Sequence, residues 1–153
     1  MYILPDDKVQ YRTNCYAYAF NYRKNPKTKQ EFAPWNNYSI WGMQPGMFSG
    51  NMLTNYYKRD ILDAVKSDMK ILGVKFYKVT RKNKKKYKKV VKKSYIVALV
   101  INPGKDYHWY RLNRDGKWSD KPGATWVRKR KKYPTNIKNE YTEFAGYYYV
   151  KKP

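Results

Sequence analysis

Hydrophobic positions recur at helical spacing in the first half of the chain and as alternating or continuous runs in the second. Cys15, Tyr18, Ala19 and Tyr22 share one helical face; Asn14 is placed to cap that helix and Asn25-Pro26 to end it. A longer pattern from about Asn55 to Leu72 aligns Ile61, Leu62, Val65, Met69 and Leu72. Thr54 or Asn55 can cap it, Asp60 and Asp63 fall in its first half, and Gly73 stops it. Between the two, residues 26–52 read as a long loop with turns at Ala33-Pro34, Gln44-Pro45-Gly46 and Ser49-Gly50. Its Trp and Met content predicts that this loop packs across the core.

From Val74 to Thr80 the pattern alternates as a strand, and Tyr95 to Asn102 is a nearly continuous apolar run of the kind found mid-sheet. His108–Asn113 and Lys117–Lys121 predict two short strands around Asp115-Gly116, a two-residue hairpin signal. Phe144 to Val150 predicts a closing tyrosine-rich strand, whereas Tyr2 to Thr13 reads as irregular. No internal repeat is visible. Helices followed by antiparallel strands make an α+β pattern, and 153 residues suit a single domain.

Composition changes the picture in two respects. With 18 Tyr and 5 Trp, the core must rest on aromatic rings with many half-buried tyrosines. And 34 Lys and Arg against 11 Asp and Glu give a formal net charge of +23. Solubility needs only about 2–8 charges on a small domain, so the excess predicts a polyanionic partner: an acidic protein lattice, nucleic acid or an anionic membrane face. One cysteine excludes an internal disulfide, and Met1 to Lys8 lacks the apolar run of a signal peptide. An intracellular, reducing setting or a virion is therefore expected, with no membrane span, no structural metal and no cofactor.

The charge is clustered. Arg81, Lys82, Lys84, Lys85, Lys86, Lys88 and Lys89 lie in a segment, 81–93, that reads as a cationic hairpin loop with nine basic residues and no acid. A second knot, Arg128, Lys129, Arg130, Lys131 and Lys132, precedes Tyr133-Pro134. These residues are the candidate polyanion contacts, and Tyr87 could stack on a base. No helix-turn-helix, RRM, KH or zinc-finger signature occurs, so no sequence-specific readout is expected. Against a membrane the lysines would act as a patch, since they lack an apolar face.

Candidate chemistry is confined to Cys15 and His108. A cysteine at a helix tip and a histidine on the sheet beneath it is the arrangement that activates a thiolate nucleophile. The words Asn-Cys-Tyr-Ala-Tyr-Ala-Phe (14–20), Gln-Pro-Gly (44–46) with Ser-Gly (49–50), and Asp-Tyr-His-Trp-Tyr-Arg (106–111) occur in order. Asp-Gly-Lys-Trp-Ser-Asp-Lys-Pro-Gly (115–123) and Phe-Ala-Gly-Tyr-Tyr-Tyr (144–149) complete the series. Together they resemble a poorly characterised papain-like (NlpC/P60-type) cysteine-hydrolase family of bacteria and large DNA viruses. The resemblance implies a papain-like core with Cys15 as nucleophile and His108 as general base; in an acyl transfer by that pair, backbone amides near Cys15 would hold the oxyanion. Members of that family tend to carry histidine at the position of Asp120. Pairing about Asp115-Gly116 sets Asp120 across from Arg111, on the face away from His108. That predicts a cross-strand ion pair and leaves Asn113, Asp115 and Asn136 as alternative orienters.

Abundant Lys, Asn and Tyr, all with A/T-rich codons, suit the viral side of the resemblance. The resulting expectation is a structural or virion-associated basic protein, on an intact or degenerate hydrolase fold, that docks on a polyanion or on other virion proteins. Its alternatives are an active peptidase or amidase using Cys15 and His108, and a non-specific nucleic-acid binder.

Overall fold

The computed structural model describes residues 13–32, 43–88, 92–121, 127–130 and 141–153. Lys89, Lys131, Lys132, Asn136, the Ala33-Pro34 turn and most of the irregular N-terminal stretch lie outside them.

Asn14 starts the first helix, α1 (Cys15–Ala19): its backbone is extended, and its side-chain oxygen accepts the Ala17 N–H at 3.0 Å. The helix is shorter than the spacing out to Tyr22 suggests, because Asn21 turns left-handed at φ 56°. Every residue of α1 is buried. The second helix, α2 (Lys58–Leu72), buries Ile61, Leu62, Val65 and Met69, and Gly73 ends it at φ 68°. Thr54 and Asn55 do not cap it; the N-cap is Tyr57, which makes no side-chain capping bond.

Six strands follow: β1 (Lys75–Lys78), β2 (Ser94–Asn102), β3 (Asp106–Leu112), β4 (Trp118–Asp120), β5 (Arg128–Arg130) and β6 (Glu143–Lys151). They form one antiparallel sheet in the order β1-β6-β2-β3-β4-β5, so the described residues make an α+β fold. Because β6 inserts between β1 and β2, residues 81–93 are not a hairpin loop. They bridge two strands that never pair, and within them Lys84–Lys88 forms a helical turn, α3. Thr80 and Asn83 set up that turn by exchanging side-chain bonds with each other's amides, and Tyr87 stacks on Tyr149 of β6 at 4.3 Å.

Strand β2 is apolar on both sides because both sheet faces are covered. One face carries Val97, Leu99, Ile101, Trp109, Tyr148 and Val150 against α1 and α2. At its centre the Trp109 ring lies 5.1 Å from Phe20 and 6.0 Å from Tyr16, so the core is aromatic. The other face carries Ala98, Val100, Tyr110 and Trp118, with Leu112 and Tyr147 partly buried beside them.

Candidate active site

The site is fixed by the register of one hairpin. Asn113 donates its amide to the Lys117 carbonyl at 2.9 Å, and Gly116 donates back to the Asn113 carbonyl at 3.0 Å. The loop therefore holds three residues, with Gly116 left-handed at φ 79°, not the two expected from Asp115-Gly116. That single extra residue places Asp120 opposite Tyr110 and Ser119 opposite Arg111. Side chains alternate along a strand, so a one-residue slip moves Asp120 from the far face to the face of His108.

The expected Asp120–Arg111 pair does not form. Instead the Asp120 carboxylate lies 2.7 Å from His108 Nε2, with His108 3% and Asp120 0% exposed. Arg111 turns toward α1, donating to the Tyr18 carbonyl and to Asn21 Oδ1, each at 3.2 Å. The imidazole is held edge-on by Tyr110 and stacked by Tyr141. Among the described residues β4 pairs with Tyr110, Arg111 and Leu112 of β3.

Burial alone would push the His108 imidazole down. Hydrogen bonds to Asp120 and to Cys15, and then the charges of both, overcome it and hold His108 at about 9. Since Asp120 engages Nε2, Nδ1 is the ring nitrogen left for the sulfur. Asp120 is pushed up by burial but drawn lower overall by its bonds to His108 and Arg128. Cys15 is 9% exposed at the first position of α1. Two further groups feel its charge. Lys121, wholly buried, is lowered to about 8 by burial, which the Cys15 charge opposes. Burial and then Cys15 push the Tyr107 hydroxyl well above its usual range.

The helix tip is braced from behind. Asn14 Nδ2 donates to the Met43 carbonyl at 2.7 Å, tying α1 to the 43–50 segment. That segment is pinned in turn by Asp68 of α2, whose buried carboxylate accepts the amides of Gly46, Phe48 and Ser49 at 2.7, 3.1 and 3.0 Å. Gly46 is required there: at φ 90°, a Cβ would stand 2.0 Å from the Asn51 carbonyl oxygen.

The structure thus brings Cys15 near His108 and sets Asp120 and Lys121 beside them, two residues that sequence reasoning did not assign to the site. Asn at the first and Gly at the fourth position of Asn113-Arg114-Asp115-Gly116 signal a type I turn with a left-handed glycine, and that signal could have corrected the register. Asn113 and Asp115 bond the hairpin loop: Asn113 Nδ2 donates to the Lys117 carbonyl, and the Asp115 carboxylate accepts the Lys117 amide. The half-exposed Arg128 guanidinium lies 2.7 Å from Asp120. Arg81, Lys82, Lys84, Lys85 and Lys86 are exposed, Lys88 ends α3, and Lys129 and Arg130 continue β5. Among the described residues no group of three acidic, His or Cys side chains could hold a metal, and no helix is long and apolar enough to cross a membrane.

No family model matches the chain. No solved structure matches it either. Among curated proteins the chain is similar to insoluble matrix shell protein 1 of Ruditapes philippinarum, 31% identical over 122 residues that make up 80% of this chain. The chain spans 64% of that relative's length.

Proposed function

We propose that this chain is a papain-like cysteine hydrolase acting on an amide or ester carbonyl. The observation that carries the reading is the buried His108–Asp120 bond of 2.7 Å on an imidazole that the helix-tip Cys15 also helps to raise. An imidazole held at about 9 is cationic at neutral pH, and a cation beside sulfur is what a thiolate needs. The Cys15 thiolate attacks the carbonyl carbon, and the oxygen takes up the negative charge. His108 then gives its proton to the leaving amine or alcohol as the carbon–heteroatom bond breaks, leaving a thioester. Water, losing its proton to the now neutral His108, hydrolyses that thioester and restores the thiolate–imidazolium pair. Asp120 keeps Nε2–H engaged so that Nδ1 faces the sulfur. Buried Lys121 adds positive charge next to Cys15.

A burst assay with p-nitrophenyl acetate tests this reading. The native chain should release about one nitrophenolate per cysteine before its steady rate, and Cys15→Ala and His108→Ala should release none. A burst that survives Cys15→Ala would remove the proposal.

A second reading is favoured by the relative's name, which places that protein in an insoluble shell matrix. On it, the same fold serves as a basic structural component that docks on an acidic lattice, a virion shell included. Normal particle or matrix incorporation of Cys15→Ala, together with a missing burst in the native chain, would favour that reading over catalysis.

A further inference from the structure

A groove of about 960 Å³ runs over the sheet face away from α1 and α2 and reaches Arg111 and Asn21 on the α1 side, and neither Cys15 nor His108 lines it. The rings it presents are half-buried Tyr147, 5.4 Å from the buried Trp118 beneath it, and half-buried Tyr87, which covers Tyr149 at 4.3 Å. Arg81 and Lys84, from the segment after β1, stand on one side. Arg114, from the β3–β4 loop, stands on the other, with β6 and β2 between. All three cations are exposed, and among the described residues no acidic side chain lines the groove.

We propose that this groove binds single-stranded nucleic acid without sequence preference. Cations on two rims with aromatic rings between them match a strand that alternates phosphates with flat bases, because every base offers a π-face and every linkage a charge. A duplex hides its base faces inside the stack, so it could meet the rims but not the rings. An acidic protein would satisfy the cations and leave the rings unused. The site is separate from the Cys15–His108–Asp120 cluster, and its occupancy does not depend on that chemistry.

Fluorescence anisotropy with a labelled 20-mer of deoxythymidine tests the assignment, with a duplex of equal length, polyglutamate and a sulfated polysaccharide as competitors. The native chain and Cys15→Ala should bind the oligomer alike, and about tenfold or more tighter than any competitor. Tyr147→Leu and Tyr87→Leu should each weaken binding by about fivefold or more through lost stacking. Combined Arg81→Gln, Lys84→Gln and Arg114→Gln, all on exposed side chains, should flatten the log–log salt slope by about 2. Duplex, polyglutamate or polysaccharide binding as tightly as the oligomer would overturn the proposal. So would leucine variants of native affinity or an unchanged salt slope.

Discussion

Raising the pH from 6 to 8 should destabilise Cys15→Ala through His108. In the native chain the imidazole is held, despite burial, at about 9 against an ordinary value of 6.5, with the Asp120 bond first among the groups that raise it. A thiolate beside it gives up the proton that the imidazole gains, so the variant without sulfur isolates the histidine. Its folded value is raised, so its contribution is fully present below about 6.5 and is lost as pH rises through the folded value. Between those limits the folded imidazole keeps a proton that the unfolded one has released, worth up to about 3 kcal/mol. Up to about 2 kcal/mol of that disappears between pH 6 and pH 8. Lys121 and Lys152 act in the opposite sense: burial lowers each to about 8, so they relieve the fold only from about pH 8 upward. Urea unfolding of Cys15→Ala at pH 6 and pH 8 reads the difference. With a slope of about 2 kcal/mol per molar for a small domain, the midpoint should fall by up to about 1 M, and adding His108→Gln should abolish the fall. Because the chain has one histidine, its single imidazole proton resonance in the native protein should also titrate near 9. A Cys15→Ala midpoint that is flat or rises with pH, or an equal fall in the double variant, would refute the reasoning.

Other consequences are more local. Asp120→Asn leaves a buried imidazolium without its counter-charge; it should cost about 3 kcal/mol in urea unfolding and move the basic limb of the burst-rate profile to lower pH. Asp68→Ala strips three backbone amides of their acceptor and loosens the segment that braces Asn14, so it should cost about 3 kcal/mol or more by the same measurement. Asn14→Ala removes the cap and the tie to Met43, and should lower stability by about 1 kcal/mol or more while slowing acylation.

Local signals carried much of this architecture. The cap at Asn14, the apolar face of α2, its glycine stop and the continuous run of β2 are short-range features, and each element stands close to where its pattern puts it. Cys15 and His108 were legible as a pair because the chain holds one of each. Asp120 was not, since its role turns on whether a loop has two residues or three, and that choice reverses which face a whole strand presents. The segment after Thr80 was misjudged for a different reason. Nothing near it in sequence says that a strand about 60 residues later slides between its neighbours, and only that long-range pairing turns an apparent hairpin into a bridge. Arg128 was read from its basic neighbours, whereas its partner was settled by β4–β5 pairing.

The most direct measurement is the alkylation rate of Cys15 by iodoacetamide across pH 5.5–8.5, in the native chain and in His108→Gln. The account predicts that the native thiol reacts at least tenfold faster than free cysteine at pH 6, and that His108→Gln erases this advantage. A native rate at or below that of free cysteine, climbing with pH alike in both proteins, would contradict it.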